Sequence, residues 1–221
     1  MNTSTRWTVA VMVVVVALGV ALSTQLGDNR SPTGSLGPGQ ARDRRDADTA
    51  EALAGPRASA DLSPCPPAGT GPGPERLRGI TLECAGDGTN VDVAKAVASA
   101  GRATVLNLWA YWCAPCAEEL PAMAEYQRRA GQDVTVLTVH QDENEAAALL
   151  RLADLGVRLP TLQDGRRLIA AALRVPNVMP ATVVLRADGS VAEVLPRSFA
   201  SADEIAVAVG PKVGPKTGAP G

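Results

Sequence analysis

Hydrophobic and polar positions divide the chain into three stretches. Residues 8–26 are apolar and carry no charge. Residues 27–75 are dominated by Gly, Pro, Ser and alternating Asp and Arg. Residues 76–209 carry the runs and periods of ordered elements. There the alternating residues 80–84 read as a strand, Asp87-Gly88 as a turn and 91–100 as a short helix closed by Gly101. The apolar run 104–109 reads as a buried strand, 113–130 as a helix ended by Gly131, and 134–140 as a second buried strand. Residues 143–155 form a periodic helix ended by Gly156, and 166–173 a further short helix. Two runs, 181–186 and 191–195, flank Asp188-Gly189 as a hairpin, and a helix over 201–209 takes Ser201 as its cap. This order, βαβ, a helical connection, then ββα, predicts an α/β domain with a mixed central sheet and helices on both faces.

The first stretch sets the compartment. Its length is close to the ~20 residues that cross a bilayer as a helix. Arg6 and the amino terminus precede it, which leaves residues 1–7 in the cytoplasm and exports the remaining chain. A cleavable signal peptide, cut near Ala21-Leu22-Ser23, is the rival. The run exceeds the ~7–15 apolar residues of a signal core, which favours a retained anchor. Either reading makes the rest extracytoplasmic. Residues 27–75 bury too little apolar surface to offset chain entropy and read as a tether, with a helical turn or two conceivable over 48–53. Residues 210–221 read as a disordered tail. Of the 221 residues, 46% are hydrophobic but only 3% aromatic, so the core is aliphatic. A net charge of −2, with arginines scattered or alternating with Asp, suggests neither a nucleic-acid footprint nor an acidic tail.

The chemistry is concentrated in Trp112-Cys113-Ala114-Pro115-Cys116, directly after the strand over 104–109. A strand that delivers two cysteines into the first turn of a helix builds a site for thiol–disulfide exchange. Unpaired N–H groups and the helix dipole favour a thiolate at Cys113, the nucleophile. Cys116, a turn deeper, resolves the mixed disulfide. Ala114-Pro115 supplies no charge to stabilise the thiolate strongly, which favours a reductant over an oxidant. A metal knuckle with Cys65 and Cys84 fits zinc spacing poorly, so neither metal nor cofactor is expected.

The segments 107–116, Glu119-Leu120-Pro121 and Val178-Met179-Pro180-Ala181-Thr182 together resemble the membrane-anchored TlpA/ResA-type thioredoxin-like family. The resemblance covers roughly residues 77–209. It implies a thioredoxin-like fold and extracytoplasmic dithiol–disulfide exchange, often reductive and often serving cytochrome c maturation. It also implies a cis peptide bond before Pro180, exposing the Met179 backbone to a substrate peptide. Glu119 matches the family's glutamate, placed to relay protons to the thiols, whereas Glu118 reads as an exposed helix carboxylate. Where thioredoxin carries a buried aspartate this chain has Asn107, taken as structural. By its spacing in the family, Pro121 kinks the helix.

Trp112 belongs to the surface around the cysteines, with Tyr111 beside it, and Trp109 to the core. His140, the single histidine, ends a strand and is assigned no role. It would matter in a copper-handling Sco-like relative, whose cysteines are three residues apart where these are two. In an exported domain Cys65 and Cys84 are expected to pair and staple the tether to the first strand. A redox relay between them and the active pair is the alternative. The expected partners are exported proteins with disulfides, a membrane thiol donor and the membrane itself, with no nucleic acid. The alternatives are a dithiol oxidase using the same site and a peptide-binding module without turnover.

Overall fold

The computed structural model describes residues 48–98 and 101–213. The expected membrane segment 8–26, the first part of the tether and residues 214–221 lie outside the described residues. Among the described residues no helix is long and apolar enough to cross a membrane. In chain order the elements are α1 (Ala50–Ala60), a 3-10 turn (Glu75–Leu77), β1 (Thr81–Cys84), β2 (Asn90–Asp92) and α2 (Val93–Ala98). Then come β3 (Ala103–Trp109), α3 (Ala114–Ala130), β4 (Val134–His140), α4 (Glu145–Asp154) and β5 (Thr161–Gln163). The chain continues with α5 (Leu168–Leu173), β6 (Ala181–Leu185), β7 (Val191–Leu195) and α6 (Ala202–Val213).

The strands form one mixed sheet in the order β2-β1-β5-β4-β3-β6-β7. The central strand β3 runs parallel to β4 and antiparallel to β6, and β4 runs parallel to β5. Every residue of β3 is buried, because helices cover both faces of the sheet. Leu106 and Leu108 point to one face and pack with Val93, Val97, Ile169 and Leu173 of α2 and α5. Val105 and Trp109 point to the other, where α3, α4 and α6 supply Leu120, Met123, Leu152, Ile205 and Val209. The strand period of two thus builds two cores from one run.

The structure corrects three expectations. The tether does not extend to residue 75: α1 lies within it and is packed against the domain. Thr49 caps α1, its side chain accepting from the Ala52 N–H. Leu53 and Ala60 bury against Leu149 of α4 and Ala85. Arg57 fastens the helix by donating to Glu83, to Glu145 at 3.0 Å and to the Ala85 carbonyl at 3.1 Å. Apolar burial and an ion pair spanning three segments offset the chain entropy that the composition alone leaves uncovered.

Second, the helix expected over 91–100 begins at Val93, where Asp92, the last residue of β2, caps it by accepting the Lys95 N–H at 3.1 Å. Asn90–Asp92 pairs instead with β1. Third, α6 continues through Gly210 and Pro211 to Val213, where a disordered tail was expected. Buried Val209 holds its last turns, as does the Lys212–Glu193 ion pair at 2.8 Å. Ser201 caps α6 as expected, accepting from Glu204 N–H at 3.2 Å.

Candidate active site

The C-terminal end of β3 delivers Ala110-Tyr111-Trp112 as a tight turn, closed by the Cys113 N–H donating to the Ala110 carbonyl at 3.0 Å. Cys113 then stands as the N-cap of α3 with extended backbone, and Pro115 lies in the first turn. The Cys116 N–H donates to the Cys113 sulfur at 3.3 Å. That sulfur therefore sits where the helix presents unpaired donors, the position in which a thiolate is favoured. The two cysteines are joined as a disulfide, their Cα atoms 5.3 Å apart. Cys113 keeps 5% exposure and Cys116 none, so an incoming thiol meets Cys113 first.

The Met179–Pro180 peptide bond is cis. Pro180 is buried at the start of β6, and half-buried Met179 packs into the core cluster that holds both cysteines. Val178 and Trp112 are exposed, Trp112 at 59%. The Trp112 indole N–H donates to Asp142 at 3.0 Å, which fixes the ring at the rim. Tyr111 is half-buried and Trp109 fully buried. Exposed Pro121 lies within α3.

Glu119 lies one turn beyond Cys116 on α3 and is fully buried. One carboxylate oxygen accepts from the Asn107 amide at 2.7 Å and the other from the Phe199 N–H at 3.1 Å. Burial pushes the carboxyl from 4.5 up to about 7, although both donors and Arg197 pull it down. A group three residues from Cys116 on the same helix face thus changes charge near neutrality. Glu118, by contrast, is exposed. Asn107, taken from the sequence as structural, is also Glu119's hydrogen-bond donor. Phe199 went unnoticed because it lies 80 residues away in the chain.

Cys65 and Cys84 pair with each other, with Cα atoms 6.0 Å apart, and neither bridges to the active pair. Cys84 is fully buried on β1 and Cys65 half-buried in the preceding loop, so the bond staples that loop to the sheet. His140, assigned no role from sequence, is fully buried beneath the turn before Cys113, with its ring 4.9 Å from that of Trp109. Among the described residues no three His, Cys, Asp or Glu side chains are grouped so as to hold a metal ion.

The profile of one protein family, AhpC/TSA, matches residues 76–194, more than half of the chain. The chain belongs to the AhpC/TSA family. Among curated relatives, the thiol-disulfide oxidoreductase ResA of Bacillus subtilis (strain 168) is 31% identical over 96 residues, covering 43% of this chain and 53% of ResA. The thioredoxin-like protein YneN of the same organism is 31% identical over 101 residues, 42% of this chain and 56% of YneN. The chain thus matches about half the length of these curated relatives. Among solved structures, MTB dsbF in its mixed oxidized and reduced forms superposes with a TM-score of 0.55 at 22% identity, over 64% of this chain and 99% of that one. A secreted thiol-disulfide isomerase from Corynebacterium glutamicum gives 0.53 at 24% identity, over 61% and 83%. These likenesses establish the thioredoxin-like fold of this AhpC/TSA member.

Proposed function

We propose that this AhpC/TSA protein is a thiol–disulfide oxidoreductase that reduces disulfides in exported proteins, held at a membrane by residues 8–26 with its catalytic domain outside. The observation that carries the reading is Cys113 as N-cap of α3, with its sulfur on the Cys116 N–H and its partner sulfur buried behind it.

In the reduced enzyme the Cys113 thiolate attacks one sulfur of a substrate disulfide. A Cys113–substrate disulfide forms and the other substrate sulfur leaves as a thiolate, taking a proton. Cys116 then gives its proton to the Glu119 carboxylate and attacks the Cys113 sulfur. The substrate's second thiolate leaves, and the Cys113–Cys116 disulfide holds the two electrons' worth of oxidation. A membrane dithiol restores the pair. Glu119 suits the proton step because it titrates near neutrality while touching no solvent. In this reading an extended substrate segment pairs with the Met179 backbone before the cis Pro180 and lies against the exposed apolar side chains of Trp112 and Val178. The neutral Ala114-Pro115 pair supports the reductive direction, since no side chain there stabilises the thiolate further. Cytochrome c maturation is one setting that needs such a reductant, and the ResA-type resemblance supports it.

Insulin disulfide reduction with a dithiol donor, compared between wild type and Cys113→Ala, tests turnover. Loss of activity in the variant is expected, whereas equal rates would leave a peptide-binding module. Equilibration of Cys113–Cys116 with glutathione tests direction. A pair that stays oxidised in a glutathione buffer supports the reductase, and a pair that glutathione readily reduces makes the protein a dithiol oxidase.

A further inference from the structure

The turn that presents Cys113 is held from below by a single side chain. Tyr111, two residues before Cys113, has left the sheet, and its N–H needs an acceptor in a half-buried place. That acceptor is His140 Nε2, at 3.4 Å. A backbone N–H can only donate, so Nε2 carries the lone pair and Nδ1 the hydrogen. The other side of the ring agrees: Nδ1 lies 2.8 Å from Gln163 Oε1. The Gln163 amide nitrogen donates in turn to the Asp142 carbonyl at 2.6 Å, which orients the amide with its oxygen toward the imidazole.

The setting fixes the ring. Trp109, His140 and Gln163 are register partners at the C-terminal ends of β3, β4 and β5. Trp109 packs on the imidazole at 4.9 Å between ring centres and Tyr111 at 6.0 Å. Burial favours the neutral ring, against weaker pulls toward the charged one from the Gln163 hydrogen bond and then from Asp142. From the solvent side the Arg151 guanidinium donates to the Tyr111 carbonyl at 3.2 Å, so both polar groups of this residue are engaged. Asp142, just after β4, also takes the Trp112 indole N–H. The residues flanking the nucleophile are therefore aimed by groups on and just after β4, α4 and β5, and the deepest of these is His140.

We propose that His140 is a positioning residue: its neutral, Nδ1-protonated ring holds the Tyr111 amide and thereby sets Cys113 at the N-terminus of α3. The inference rests on the proposed function in taking Cys113 as the attacking thiol. Without the acceptor at Nε2, the Tyr111 N–H loses its partner and the turn samples other positions. The Cys113 sulfur then spends less time over the helix amides that favour its thiolate.

His140→Gln and His140→Asn separate this role from a structural one. A glutamine oxygen reaches the place of Nε2 and can still accept from Tyr111. An asparagine reaches only the place of Nδ1 and can serve Gln163 alone. In the reduced protein, the rate of Cys113 alkylation at pH 7 is expected to fall about tenfold in His140→Asn, the effect of one buried hydrogen bond. His140→Gln is expected to stay within about twofold of wild type on the same ground. The Cys113 thiol pKa, read from the pH profile of alkylation, should rise in the first variant and not in the second. Equal rates in all three proteins, equal losses in both variants, or rescue by asparagine and not glutamine would each overturn the proposal.

A measurement on wild type stands whether or not the variants fold. Because His140 is the single histidine, ¹⁵N-histidine labelling gives one ring to assign. The Nδ1–H tautomer is expected at pH 7, and an Nε2–H tautomer or an imidazolium would overturn the proposal. Neither readout depends on turnover. A wild type that fails to reduce insulin but shows this tautomer and this order of alkylation counts against the proposed function and not against His140.

Discussion

Glu119→Gln isolates what a buried carboxyl costs this fold. Burial carries the side chain from 4.5 to about 7, and at about 1.4 kcal/mol per pH unit its ionisation inside the protein costs about 3 kcal/mol. The folded-state pKa is raised, so the associated stability is fully present below about pH 4.5 and is lost as the pH climbs through about 7. Glutamine keeps the shape and carries no charge at any pH. It offers one acceptor oxygen to the two donors, Asn107 and the Phe199 N–H, much as the protonated acid does. Urea unfolding of both oxidised proteins between pH 4.5 and 8.5 provides the assay. At the acid end the two should differ little. By the alkaline end the variant should have gained about 3 kcal/mol on wild type. Glu145 is also raised to about 7 by burial, but it is present in both proteins and cancels in the difference. A difference that stays constant across this range, or that moves in favour of wild type as pH rises, would refute the reasoning.

Other perturbations test other links. Arg57→Ala should destabilise the domain by about 3 kcal/mol in urea, since it strands buried Glu145 and releases α1; a loss under about 0.5 kcal/mol would mean α1 is not fastened there. Replacing both Cys65 and Cys84 by Ser opens a link of sequence separation 19 and should cost about 3 kcal/mol, read as a lower thermal midpoint. Insulin reduction should persist in that double variant below its melting point, because the bond is separate from Cys113–Cys116; loss of turnover with the fold intact would revive the relay between the pairs.

What the sequence revealed tracks the range of the forces involved. The run over 104–109 and the hairpin around Asp188-Gly189 were legible because strand burial and turn chemistry are local. β2 and β5 were not, since three residues are too few to display a period, and β5 in addition pairs with β1 from far along the chain. α1 was hidden by its composition, because Arg57 finds Glu83 and Glu145 at separations of 26 and 88 residues. In the site, Cys113 and Cys116 announce themselves by spacing, and Pro180 and Glu119 by a resemblance that carries position. Asn107 and His140 act only through partners that folding brings to them, Glu119 in one case and Tyr111 in the other. A lone histidine at a strand end looks the same in sequence whether it fills space or holds a turn.

The most direct test of the central claim is capture of the attacking sulfur. Cys116→Ser, reduced and mixed with a disulfide-linked peptide, should accumulate one adduct, and mass spectrometry after digestion should place it on Cys113. An adduct on any other residue, or none while the variant remains folded, would contradict the account.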